Sequence, residues 1–367
     1  MPKLSLEEKV KYNTEVSIGN RKVSKRSQTL FIADIAANHD GDLERAKALI
    51  WLAKEAGADV AKFQHFTAST IISDLGFSNL NEIQTHQSGW KKSVFDTYDQ
   101  YHTRRDWTNT LVETCEQADI QFMTTPYDFE AVDMFSTLIP AYKIGSGDIT
   151  FYDLLSKAAQ QKKPIILATG ASSMDDVVGA VDIILKSNPE LILLQCNTNY
   201  TGNIENFSYV NLKVLKTFAS LWPDLPLGLS DHTPGYSAVL GAVTLGARVI
   251  EKHFTDDNSR IGPDHKFALN PNTWRNMVDA TRELELSLGD GIKRVEKNEM
   301  ESVIVQRRAL RATRDLPKDI FLTSDMLEAL RPCPTEAIPP SDSIKIFGKK
   351  LIRNLKKGEH VLWSDVQ

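Results

Sequence analysis

The chain has little of several things, and each shortage closes off a class of function. Only three cysteines occur in 367 residues, Cys115, Cys196 and Cys333. They are odd in number, widely scattered and without paired spacing, which argues against a disulfide framework or a cysteine-held zinc. No apolar run approaches the roughly 18 residues needed to cross a bilayer, and the charged start MPKLSLEEKVKYNTEV has no hydrophobic signal core. A soluble, cytoplasmic protein is the expectation. Basic excess is also missing: 43 Lys+Arg stand against 48 Asp+Glu, a formal charge of -5, so a polyanion such as nucleic acid is not an expected partner. Internal repeats and low-complexity tracts are absent too. What remains is a chain long enough for one α/β barrel of about 250 residues and a small appendage.

The segment VSIGNRKVS reads as a hairpin turning at Gly19 and Asn20, within a polar leader over residues 1–29 that covers one end of the barrel. From Leu30 strands and helices alternate. LFIADIAAN, DVAKFQ, DIQFMTT, AYKIGS, PIILAT, LILLQC, PLGLSD and RVIEKHF are the strands, with helix caps at Asp128 and Ser173 and a last helix from Pro271. Eight such units over 30–288 predict a TIM (β/α)8 barrel. A polar, aromatic-containing excursion runs from 65 to about 102, and loops of that length are usually functional. A charged linker, 289–305, leads to a mostly β tail, 306–367, whose lysine-rich IFGKKLIRNLKKGEH reads as a solvated face.

Strand side chains alternate with period two. Phe63, Ile144, Leu229 and Ile250 share the helix-facing parity, and Asp34, Lys62, Gln64, Lys143, Ser230, His232, Glu251 and His253 share the opposite one, near the C-terminal ends of five strands. Interior charges are costly unless paired or bound to ligand, and barrel chemistry sits at that end. Neighbouring strands lie about 4.8 Å apart, so His232 and His253 could hold one metal ion between them. A satisfied core histidine is the blander alternative for each. Cys196 reads as a core thiol, and His39 as either a loop-orienting or a substrate-facing group. His65, His86, His102 and His360 read as loop or surface residues.

IADIAANHDGD (32–42), AKFQ (61–64), TTPYD (124–128), YKIGSGD (142–148), ATG (168–170), GLSDHT (228–233), EKHF (251–254) and GPDH (262–265) together resemble the sialic acid (N-acetylneuraminate) synthase family, with its legionaminic and pseudaminic acid synthase relatives. The tail, with RRALRA, IFGKKL and KKGEHV, is similar to that family's antifreeze-like (SAF) domain. The resemblance implies condensation of phosphoenolpyruvate with the aldehyde of an open-chain N-acylated hexosamine, releasing phosphate. By the same carry-over, Lys62, Thr125, Lys143, Ser146 and Ser230 bind phosphoenolpyruvate, with Tyr200 nearby and Gln64 and Asp34 on the substrate side. Glu251 is a candidate base for water, and Asp264 a partner for a sugar hydroxyl. His232 and His253 with water and substrate oxygens suit octahedral Mn²⁺, Mg²⁺ or Co²⁺. A domain-swapped homodimer is also implied, in which Arg331 lies over the partner's sugar pocket.

Departures fall mostly on the sugar side, with Ala168 removing a possible phosphate donor. Asp34 stands where the family usually carries Glu, a loss of roughly 1.5 Å in reach. Ala168 stands where Ser is common, and Gln195 and Asn197 flank Cys196 in place of His and Thr. The family's RPGxGI is replaced by RPCPTEAIPP. Two other functions stay open: a keto-acid aldolase using a Lys143 Schiff base, and a sugar-binding or scaffolding protein without turnover.

Overall fold

The structure, a computed structural model, describes residues 11–80, 87 and 90–367; the first ten residues of the leader and His86 lie outside the described residues. The chain divides into two compact units, Met1–Gly289 and Asp290–Gln367.

In the first unit an antiparallel hairpin, β1 (Glu15–Ile18) and β2 (Arg21–Ser24), turns at Gly19, whose positive φ of 55° suits a residue without Cβ. Eight parallel strands follow: β3 (Leu30–Asp34), β4 (Val60–His65), β5 (Gln121–Pro126), β6 (Tyr142–Ile144), β7 (Ile165–Ala168), β8 (Leu191–Cys196), β9 (Leu227–Asp231) and β10 (Ala247–His253). They pair in sequence order, and β10 pairs with β3 to close the barrel. The fold is therefore the TIM barrel that the alternation of elements predicts.

Period-two alternation divides the apolar side chains into two layers. Phe63, Ile144, Leu229 and Ile250 belong to the layer between strands and helices. Leu30, Ile32, Val60, Met123, Ile166, Ile192 and Val249 fill the barrel interior, and the hairpin's Val16, Ile18 and Val23 join that inner cluster. The hairpin thus plugs the barrel opposite the C-terminal ends of its strands.

Local signals fix the helices. Asp42 caps Leu43–Glu55 by accepting from the amides of Glu44 and Arg45, and Gly57 leaves that helix at φ +93°. Asp128 caps Phe129–Phe135, and Ser173 forms a capping box with Asp176 at the start of Met174–Leu185. Asn270 caps Pro271–Ser287, whose first residue is the proline that position favours. The excursion after β4 is less irregular than its composition suggests: it carries helices Ala68–Ile71, Asp74–Ser78 and Val94–Tyr101. Phe66 packs on Tyr98 (5.1 Å) and Tyr127 (5.7 Å), which ties this segment down onto the strand ends.

The second unit is built on an antiparallel pair, β11 (Ala309–Ala312) and β12 (Leu327–Leu330), with isolated bridges around it. Leu310, Leu316, Leu322, Ile338, Ile346, Leu351, Leu355 and Val361 form its core. Helix Met300–Gln306 is part of this unit, since Ile304 accepts a backbone bond from Cys333 (2.8 Å). The basic stretch is not uniformly solvated: Arg353 bridges Glu359 (2.7 Å) and Asp365 (2.6 Å), and Asp365 is buried.

Candidate active site

Strand register brings the inward polar residues together. His253 lies beside Asp34, Asp34 beside Lys62, and Glu251 beside Ser230. Their side chains form one buried network. Lys62 Nζ meets Asp34 Oδ2 at 2.7 Å, and Lys143 Nζ meets Glu251 Oε1 at 3.2 Å. Gln64 Nε2 donates to Asp34 (3.0 Å), Ser230 Oγ to Glu251 Oε1 (3.1 Å), and Lys62 to Thr125 Oγ1 (3.4 Å). Ser146 Oγ accepts from the Gly170 amide (2.9 Å), so strands β6 and β7 share this rim. Asp34 is turned toward Lys62 and Gln64, which engages the shortened carboxylate inside the barrel.

Two ammonium and two carboxylate groups balance here, but unevenly. Burial pushes Glu251 up, yet the nearby charges of Lys143 and Lys62 outweigh it and bring the carboxyl down to about 2. Burial raises Asp34 above the ordinary carboxylate range against the pull of Lys62, with Glu251 adding to the rise. Burial lowers Lys62, but Asp34 and Glu251 overcome it and hold the ammonium above its usual pKa. Glu251 Oε2 is buried and has no hydrogen-bond partner. As arranged, Glu251 is a firmly ionised carboxylate with one oxygen committed and one available.

His232 and His253 stand beside this cluster, ring centroids 5.4 Å apart. Burial lowers both to a pKa of about 4, and each is therefore a neutral imidazole at pH 7. His232 Nδ1 pairs with the Asn197 carbonyl (2.9 Å), which assigns the proton to that nitrogen and leaves a lone pair on Nε2. A backbone carbonyl holding the second nitrogen is the usual support for a metal-binding histidine. His253 Nδ1 is buried without a hydrogen-bond partner, and Asp264 lies 3.8 Å from it. Among the described residues no group of three His, Cys, Asp or Glu side chains is arranged to hold a metal. The donor set thus suits an ion held by two imidazoles and otherwise by non-protein oxygens. Tyr200 stacks edge-on against His232 (4.4 Å), and Phe267 against His253 (4.9 Å), so both rings are fixed in place.

Above this floor opens a cavity of about 170 Å³ whose wall includes Phe66, Trp90, Tyr98, Tyr101, Tyr127 and Tyr200, with Gln64, His253 and Asp264 among its polar lining. Asp264 Oδ2 accepts from the Ala37 amide (3.2 Å), and burial raises its pKa. Arg331 lies in the second unit, exposed just beyond β12.

Several residues differ from the sequence reading. His65 is not a loop or surface residue. It sits fully buried in the wall, Nδ1 on Thr124 Oγ1 (2.8 Å) and ring on Phe135 (4.4 Å), because it shares the outward parity of Phe63. His39 is also buried and bonded through both nitrogens, to Thr103 (3.2 Å) and the Gly41 amide (3.1 Å), which favours loop orientation over substrate contact. His102 pairs with the Asp99 carbonyl (2.6 Å), and Arg311 bridges to His360 in the second unit. Cys196 has a base within 4.0 Å, His232 Nδ1, but the Asn197 carbonyl already holds that nitrogen, and burial pushes the thiol up to about 11. Two features went unread. Asp148 ends the YKIGSGD motif, two residues after Ser146; burial raises it to about 6, and its Oδ2 has no partner. Lys252 is buried with the outward parity and pairs with Asp231 (2.6 Å) and the Thr233 carbonyl (2.7 Å), bracing β9 against β10 directly beneath both histidines.

Comparison with known proteins agrees with this geometry. Residues 49–293 match the model of the NeuB family. An N,N'-diacetyllegionaminic acid synthase from Legionella pneumophila is 35% identical over 354 residues, 93% of this chain and 96% of the relative. An N-acetylneuraminate-9-phosphate synthase from Homo sapiens is 31% identical over 343 residues, 93% of this chain and 94% of the relative. The crystal structure of the N-acetylneuraminic acid synthetase from Leptospira borgpetersenii, solved with citrate, superposes with a TM-score of 0.68 at 29% identity, covering 79% of this chain and 95% of that one. A shared barrel, a shared span and this level of identity place the chain in the NeuB family.

Proposed function

We propose that the chain condenses phosphoenolpyruvate with the aldehyde of an open-chain N-acylated hexosamine, in the cytoplasm, to form a sialic-acid-like nonulosonic acid and phosphate. The observation that carries this reading is the pairing, at one barrel mouth, of two buried lysines with hydroxyl donors and of two neutral imidazoles. Phosphoenolpyruvate brings a carboxylate and a phosphate, and such an anion competes with Asp34 and Glu251 for Lys62 and Lys143. Thr125, Ser146 and Ser230 supply donors around it. Carbon 3 of the enol attacks the aldehyde carbon, forming the new C–C bond. Water then adds to carbon 2, and the tetrahedral centre expels phosphate by C–O cleavage.

Glu251 takes the proton of that water through Oε2. Its low pKa depends on the lysine charges, so an anion that draws Lys143 away raises its basicity at the moment it is needed. Asp264 and Gln64 orient sugar hydroxyls, and Tyr200 keeps His232 in position. A divalent ion (Mn²⁺, Mg²⁺ or Co²⁺) held by His232 and His253 supplies Lewis-acid polarisation of the aldehyde oxygen when bound. The second unit acts as an antifreeze-like (SAF) domain that carries Arg331 to the sugar pocket of a second copy in a head-to-tail homodimer.

The test is phosphate release from phosphoenolpyruvate by the full chain with Mn²⁺, with and without a panel of N-acylated hexosamines. Release that requires the sugar is the expected result; no release with any aldose would sink the reading. Borohydride trapping of a pyruvate adduct on Lys143 would point instead to imine chemistry.

A further inference from the structure

We infer that the sugar pocket selects a neutral hexosamine bearing apolar groups, either acyl methyls or a deoxygenated C6, and rejects the corresponding sugar phosphate. This rests on the condensation proposed above and names the substrate class for the same site. The distinction matters because a relative from Homo sapiens is a 9-phosphate synthase, whereas the relative from Legionella pneumophila is named for a diacetylated product.

The composition of the cavity wall carries the inference. Phe66, Trp90, Tyr98, Tyr101 and Tyr127 line it, and no lysine or arginine does so among the described residues. Aromatic faces favour methyl and methylene groups and exclude water. A phosphate needs the reverse, a fork of guanidinium or ammonium donors. Asp264, the one carboxylate in the wall among the described residues, adds repulsion toward a second anion. Four cations of the barrel mouth are already engaged. Lys62 and Lys143 lie below with Asp34 and Glu251 and are assigned to phosphoenolpyruvate. Arg260, on the loop that carries Asp264, is held by Asp40 (2.7 Å), and Arg45 by Asp40 and Asp256. An Arg331 from a second copy would only balance Asp264, leaving a phosphate dianion without a counter-charge.

The aromatic side chains of the wall also pack on one another, which makes the selection steric as well as electrostatic. Phe66 bridges Tyr98 and Tyr127, and Trp90 packs on Tyr98 (6.3 Å). These residues come from the end of β4, the excursion after it and the end of β5, so substrate choice is set by the segment inserted between those two strands.

The experiment compares one N-acylated hexosamine in three forms, with a 6-hydroxyl, a 6-deoxy and a 6-phosphate group, using the full chain with Mn²⁺. Phosphate release gives kcat/KM for each, and calorimetric titration of the reduced, open-chain alditols gives binding without turnover. The expected result is that the 6-deoxy sugar equals or exceeds the 6-hydroxyl sugar, with the 6-phosphate at least about 100-fold worse in both readouts. A 6-phosphate used or bound as well as the neutral sugars overturns the inference while leaving the condensation intact. Protein that neither binds nor consumes phosphoenolpyruvate overturns the condensation, and the inference with it.

Discussion

Lowering the pH from 7 to 5 should cost the barrel several kcal/mol, and two histidines away from the reaction centre carry a calculable part. Burial, with Arg105 next, lowers His65 to about 3, and burial lowers His39 to about 4. In the unfolded chain each returns to about 6.5. The unfolded state therefore binds more protons, and the stability these residues permit is full above pH 6.5 and falls as pH drops toward their folded values. At pH 5 the unfolded imidazole is almost fully protonated while the folded one is neutral, a penalty of about 2 kcal/mol for each. Together they remove about 4 kcal/mol from a total of about 5–15. Carboxylates with lowered values lose their contribution only nearer pH 4 and below, whereas Asp148, raised to about 6, takes up a proton in the folded state and returns about 1 kcal/mol over this range, in parent and variant alike. Urea unfolding followed by fluorescence of the buried Trp107 and Trp274 measures it. His65→Gln is less stable at pH 7 but should lose about 2 kcal/mol less than the parent between pH 7 and 5. An identical loss in both proteins would show that folded His65 takes up the proton, and the buried, neutral assignment would fall.

Replacing either lysine of the mouth should act more on binding than on folding rate: Lys62→Met or Lys143→Met abolishes phosphoenolpyruvate binding by calorimetry, and either also leaves a buried carboxylate unpaired, at a cost of about 3–5 kcal/mol. Lys252→Met should cost a similar amount through Asp231, and pairing it with Asp231→Asn should recover part of the loss in thermal unfolding. His232→Ala combined with His253→Ala should remove the stimulation of phosphate release by Mn²⁺; full activity in that double variant excludes them as ligands. Iodoacetamide at pH 8 should label Cys333 and spare Cys196 and Cys115 in the folded protein, as read by peptide mass mapping, because burial suppresses both thiolates.

Much of this architecture is legible in alternation alone. Asp34, Lys62, Lys143 and Glu251 alternate with apolar neighbours, and once the strands are set in order their register dictates which charges meet. The same rule could have placed His65, at the parity of Phe63, and Lys252, at the parity of Ile250; both were overlooked because a polar side chain on an outward position looks solvent-facing until the covering helix is seen. Lys252 and Asp231 are cross-strand partners, so their ion pair follows from register and not from either residue's neighbourhood in sequence. The aromatic wall was beyond such reasoning. Phe66, Tyr98 and Tyr127 share no period, and their meeting depends on how an insertion folds back across two strand ends. Asp148 carried a signal, its place in the YKIGSGD motif, but its elevated pKa comes from burial that no local pattern reports.

The hairpin beneath the barrel has a consequence for biosynthesis. Val16, Ile18 and Val23 leave the ribosome before every barrel strand, yet the cluster they complete includes Val249 on the last barrel strand to be made. Their apolar side chains must wait, exposed, until some 230 residues later the wall closes between β10 and β3. A chain stalled before that strand has neither a closed wall nor a buried floor, so quality-control factors that sense exposed valine and isoleucine would meet it throughout its elongation.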